Sequence, residues 1–111
     1  MKAFYLLLLF AGLNLSYGNE NGLSSIEQEQ LSNMVKEYVL LHYSNNPFAC
    51  AEEQAVDGRA TDITMDDTYP NWLYLNISYK CASSITWLES AESCEAYRND
   101  DGVWGLERCA Y

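Results

Sequence analysis

The sequence predicts an α+β fold, with one N-terminal amphipathic helix packed on a small antiparallel β-sheet and two disulfides cross-linking it. Three observations predict this. A run of apolar residues at three- and four-residue steps follows a helix-start signature near Ser24. Residues 72–81 alternate apolar and polar side chains, the period expected when one face of a sheet is buried. Four cysteines, an even number, all lie in the second half of the chain or close to it.

The helix is predicted over about residues 25–44. Ser24 with Glu27, and Ser25 with Gln28, both satisfy capping-box spacing, in which side chains bond the free amides of a helix start. Leu31, Met34, Val35, Tyr38 and Leu41 make the apolar stripe, and Asn45-Asn46-Pro47 ends the element because proline disfavours helical geometry at the residue before it. The acidic character of this helix argues against a membrane-surface role, which favours basic residues. In the strand from Trp72 to Cys81, Leu73, Leu75, Ile77, Tyr79 and Cys81 form one face, with Trp72, Tyr74, Asn76, Ser78 and Lys80 on the other. A shorter strand is expected at Ala60–Met65, with Asp66-Asp67 in the turn after it. Residues 84–98 admit two readings. They carry several helix formers with Trp87, Ala91 and Cys94 at helical spacing, but a strand near Cys94 is preferred.

That preference comes from Asp101-Gly102, a two-residue hairpin signal in which glycine accepts the positive φ of a type I′ turn. Folding the chain about it pairs Tyr97 with Leu106 and Glu95 with Arg108, and sets Cys94 opposite Cys109 within disulfide reach. By elimination Cys50 joins Cys81. The cysteine spacings of 31, 13 and 15 lack the close pairs of a zinc site.

The start of the chain reads as a secretory leader. Met1-Lys2 precedes an apolar stretch from Ala3 to Leu13, and Ser16 and Gly18 suit a cleavage site before Asn19. The expected organisation is a signal peptide over 1–18 and a single exported domain over 19–111, with no membrane attachment after cleavage. The chain has 111 residues, too few for two independent cores, and carries six basic against sixteen acidic residues for a net charge of −10. Removing Lys2 leaves five basic against sixteen acidic, or −11. Such a charge excludes ordinary nucleic-acid binding. Asn76-Ile77-Ser78 is an N-glycosylation acceptor on the outward face of its strand.

Catalysis finds little support. His42 is the only histidine and every cysteine is expected in a bridge, so neither a His relay nor a free thiol nucleophile is available. Asp57, Asp62, Asp66 and Asp67 could supply a carboxylate pair or a calcium site, but they lack the spacing of a calcium loop and read as a solvated turn region. No cofactor, metal or catalytic residue is assigned, and the function expected is binding.

Part of the chain resembles the cystatins, secreted inhibitors of papain-like cysteine proteases. A polar arm containing Gly22 leads into the helix, whose segment Met34-Val35-Lys36-Glu37-Tyr38 is similar to the family's helix centre. Gln54-Ala55-Val56-Asp57-Gly58, preceded by Glu52-Glu53, matches the family's Q-x-V-x-G inhibitory loop. The first-with-second and third-with-fourth cysteine pairing is also that of secreted cystatins. The resemblance implies a non-enzymatic inhibitor with Gly22, Gln54, Val56, Gly58 and Trp104 on one protease-contact edge. Gly58 would then shape a tight hairpin tip, and Trp104 would be the apolar anchor on a neighbouring hairpin. The partner expected is an extracellular protein, with a cysteine protease as the class the resemblance implies. The alternative is a secreted acidic effector, toxin-like or immune-type, binding a basic patch on an extracellular or receptor partner by salt-sensitive association.

Overall fold

The computed structural model describes residues 22–111. The expected signal peptide, its cleavage site and residues 19–21 lie outside the described residues. One helix, α1 (Ser25–His42), is followed by β1 (Ala55–Met65), β2 (Trp72–Cys81), β3 (Leu88–Arg98) and β4 (Trp104–Ala110). The strands form one antiparallel sheet in the order β1-β2-β3-β4, and α1 packs on one face of it. Among the described residues no helix is long and apolar enough to cross a membrane.

The first of the two candidate capping boxes starts α1. The Ser24 hydroxyl accepts from the Glu27 amide at 3.1 Å, and the Ser24 amide donates to the Glu27 carboxylate at 3.2 Å. Leu31, Val35 and Val39, each four residues apart, are the fully buried positions of the helix, with Leu23 before it and Tyr43 after it completing the line. Leu41, assigned to the stripe from sequence, is 74% exposed. It lies two residues past Val39, and so about 200° around the helix from the buried line.

In β2 Leu73, Leu75, Ile77, Tyr79 and Cys81 are buried as expected, and the alternation breaks only at Ser78, which was expected to face outward and is fully buried, its hydroxyl donating to Glu89 at 3.1 Å. Strand β1 begins at Ala55, five residues earlier than expected, and bulges at Asp57 and between Thr61 and Thr64 break its alternation. Residues 88–98 are strand, so the helical spacing of Trp87, Ala91 and Cys94 is incidental. A bulge between Asn76 and Ser78 shifts the β2–β3 register there and spoils the period-two signal.

The β3–β4 turn differs from its expected form by one residue. Asn99 donates to the Val103 carbonyl at 3.0 Å, closing a loop of Asp100, Asp101 and Gly102, with Gly102 at φ +79°. This is the three-residue hairpin with a left-handed glycine rather than the two-residue turn. Tyr97 consequently faces Gly105 instead of Leu106. A bulge between Glu95 and Ala96 then restores the offset, and Cys94 meets Cys109 opposite Glu95–Arg108. The disulfides join Cys94 to Cys109 and Cys50 to Cys81.

Gly58 sits where α1 crosses β1. A methyl group built on it would lie 2.7 Å from Cβ and Cγ2 of Val39, atoms too near the helix backbone to swing away. Glycine is required here for close approach, and not for an unusual backbone angle. Replacing Gly58 with alanine should therefore cost about 1–3 kcal/mol in urea unfolding by overpacking. The double variant V39A/G58A should be less destabilised than the two single losses added together. Strict additivity would show that the two residues do not share a contact.

Candidate binding surface

Strand register gives the molecule two distinct ends. At one, the arm end, lie Gly22, the β1–β2 turn (66–71) and the β3–β4 turn (99–103). At the other, the stapled end, lie the helix C-terminus, the long connection 43–54 and the β2–β3 turn (82–87). The length of β1 separates them by roughly 30 Å.

The stapled end is a dense set of cross-connections between two loops. The Cys50–Cys81 disulfide joins them. The Glu53 carboxylate accepts from the Ser83 amide at 3.0 Å and from its hydroxyl at 2.6 Å, and the Ala82 amide donates to the Gln54 carbonyl at 2.9 Å. The Ser83 hydroxyl, followed by its amide, holds the Glu53 carboxyl below its ordinary range. Loop 43–54 is also closed on itself, by Asn45 to Glu53 at 2.9 Å and by the Ala55 amide to the Ser44 hydroxyl at 2.8 Å.

These held loops carry apolar side chains into solvent. Phe48 is 83% exposed and Ile85 92% exposed, while Leu41 and Val56 at the same end are also exposed. Beside them on the open face of the sheet, Trp87 is stacked with two cations, Arg59 at 4.2 Å and Lys80 at 5.1 Å from the ring centre. Sequence reasoning gave no functional role to Phe48, Ile85, Trp87, Arg59 or Lys80. The available signal was a lone apolar residue among polar ones, close to a bridged cysteine: Asn45-Asn46-Pro47-Phe48 near Cys50, and Ser83-Ser84-Ile85-Thr86 near Cys81.

The five residues expected on one contact edge are divided between the ends. Gln54 and Val56 are exposed at the stapled end, and Gly58 is buried under Val39 in the body of the sheet. Gln54–Gly58 is thus no hairpin tip; it is the entry into β1, because the chain runs straight on from Ala55 to Met65 opposite β2. Gly22, at φ +83°, and Trp104 lie at the arm end. Trp104 is 4% exposed and is not available as an anchor, since its indole N–H donates to Glu27 at 3.0 Å. The turn that shares the arm end with Gly22 and the β3–β4 hairpin is Asp66–Asn71.

Glu27 organises that end. Besides the cap and Trp104, it pairs with Arg98 at 2.6 Å, and Arg98 also reaches Asn71 at 3.0 Å and stacks over Trp104 at 5.1 Å. Burial works against its ionisation, but Trp104, the Ser24 amide and Arg98 outweigh it and hold the carboxyl below the ordinary 4.5.

Asn76 is in the middle of the open sheet face. Its side chain donates to Asp62 at 3.1 Å and accepts from Ser93 at 3.0 Å. His42 is exposed and stacks on Tyr38 at 4.5 Å. Among the described residues all cysteines are bridged and no three or more His, Cys, Asp or Glu side chains come together as a metal-binding group. Compared with protein-family models, with curated proteins and with solved structures, the chain matches nothing.

Because the folded carboxyl of Glu27 ionises at lower pH than an unfolded one, its contribution is present above the ordinary 4.5 and lost as pH falls through the folded value. Glu27→Ala should cost about 2 kcal/mol near neutrality, from the cap and the charged hydrogen bonds together. In denaturant unfolding followed downward from pH 5, the gap between parent and variant should close. A gap unchanged by acid would mean that an ionised Glu27 does not hold the arm end.

Proposed function

We propose that this chain is an exported, non-enzymatic binding module that meets an extracellular protein partner through its stapled end. The observation that carries this reading is the near-complete exposure of Phe48 and Ile85 on two loops that a disulfide and five hydrogen bonds keep in place. Single exposed apolar side chains are ordinary, but a group of them at one end, here Phe48, Ile85, Leu41 and Val56, marks a contact surface. The fixed loops mean that little ordering remains to be done on association.

Arg59 and Lys80, flanking Trp87, add two cations to this end of an acidic protein. The partner surface they suit is apolar with carboxylate neighbours, whereas the acidic residues Asp67, Asp100 and Asp101 are exposed at the arm end. A papain-like protease is one partner class to test, since Gln54 and Val56 also lie at the stapled end. An inhibitory wedge made jointly with Gly22 and Trp104 would have to span the length of β1, which a single narrow cleft does not accommodate.

The test is capture of partners from extracellular fluid by the oxidised domain, with papain inhibition assayed in parallel. The double variant F48S/I85S should weaken any specific capture or inhibition at least about tenfold, the loss typical of central apolar anchors. I26S/V103S, which removes exposed apolar groups at the arm end, should leave it intact. Loss with I26S/V103S and retention with F48S/I85S would move the contact surface to the other end and overturn the proposal.

A further inference from the structure

A second recognition surface lies on the helix-free face of the sheet at the arm end, away from the loops just described. Asp66, Tyr69, Trp72, Tyr74 and Glu95 line an open cleft there. We propose that this cleft binds an alkylammonium group.

The cleft is built around Asp66. One carboxylate oxygen accepts from the amides of Thr68 at 2.7 Å and Tyr69 at 3.0 Å, and the other accepts from the Tyr74 hydroxyl at 2.6 Å. The turn is closed by the Asp66 amide to the Trp72 carbonyl and the Trp72 amide to the Tyr69 carbonyl, both at 3.0 Å. The Asp66 carboxylate thereby holds the backbone of Tyr69 and the Tyr74 hydroxyl, while the main chain of Asp66 and Tyr69 holds that of Trp72. Trp72 is held from the side by Tyr97, its register partner, with ring centres 5.2 Å apart. Glu95 stands directly across from Tyr74 on β3.

The chemistry of such a lining is selective. Three aromatic rings and two carboxylates share the lining, a combination that attracts a compact cation. No basic residue lines the cleft. The Tyr74 hydroxyl, followed by the two turn amides, holds the Asp66 carboxyl below its ordinary range, so it stays anionic in mildly acidic fluids as well. An anionic or neutral polar ligand would find no charged donor among the lining side chains. The nearest competitor for the cation is Arg108, which reaches Glu95 at 2.7 Å from a largely exposed position. A pair of that kind is weak and readily exchanged.

An alkylammonium group is carried by free small amines and by lysine side chains of proteins, and one experiment separates them. The isotope-labelled oxidised domain is titrated by NMR with choline chloride, with a blocked lysine amide, and with sodium chloride at matched ionic strength. The expected result is saturable shifts of the Tyr69, Tyr74 and Glu95 amides and the Trp72 indole, with a dissociation constant of roughly 1 mM for a few cation–π contacts in an open site. Tighter binding of choline identifies a free quaternary amine as the occupant, and tighter binding of the lysine amide identifies a side chain. Glu95→Gln should weaken binding about fivefold, and Arg108→Gln, which frees Glu95, should strengthen it about twofold. Shifts that match sodium chloride, that centre elsewhere, or that ignore both substitutions would overturn the proposal. None of these outcomes bears on the stapled end, whose test uses other residues.

Discussion

The close approach of α1 to β1 at Gly58 sets the rest of the architecture. With Val39 seated on a residue that has no side chain, the helix lies low enough for both its ends to reach the sheet. At its start Glu27 meets Arg98 and Trp104; at its finish Tyr43 and Tyr38 reach across to Glu92 on β3, at 2.6 and 2.8 Å. Glu92 is buried, and its carboxylate would be costly there without donors. The two phenols supply them, and burial, followed by the bond to Glu92, pushes the Tyr38 hydroxyl up to about 12 and that of Tyr43 well above its ordinary value. Raising the helix on a larger residue at position 58 would loosen polar contacts at both of its ends.

Local signals in the sequence were sufficient wherever a single regular period or cap decided the outcome. Ser24 and Glu27 set the start of α1, Trp72–Cys81 is a strand to the residue, and the cysteine pairing emerged from a hairpin whose turn was itself misjudged by one residue. That error was harmless because the bulge at Glu95/Ala96 compensates it before Cys94. The failures share a cause: they concern residues whose role depends on what lies across from them. Gly58 looks like a turn glycine until Val39 is placed above it. Trp104 looks like an exposed anchor until Glu27, far away in sequence, accepts its indole proton. Nothing within five residues of either position carries that information.

Charge is unevenly deployed over the domain. Arg98 is committed to Glu27, Arg108 reaches Glu95 from a largely exposed position, and Lys36 approaches Asp57 only at 3.9 Å with both side chains well exposed, a contact of little weight. Arg59 and Lys80 instead lie against Trp87 at the stapled end. Exposed carboxylates stand at both ends, Asp67, Asp100 and Asp101 at the arm end and Glu52 and Glu89 at the stapled end, so the two cations make a local basic spot around Trp87 on an acidic molecule.

The two disulfides do different physical work. Cys94–Cys109 closes a hairpin whose register is already set by ladder hydrogen bonds, so its main effect is on the unfolded chain. Cys50–Cys81 holds a connection that belongs to neither helix nor strand. In that connection Asn45 and Ala51 both adopt positive φ, at +55° and +58°. Left-handed backbone is unfavourable for alanine and persists only where surrounding contacts over-determine it. Ala51 sits between the bridged Cys50 and the pair Glu52-Glu53, whose second member is clamped on Ser83; the constraints on either side are what keep it there. The contacts that impose this backbone also fix the path of residues 45–53, and with it the largely exposed Phe48, in a single geometry.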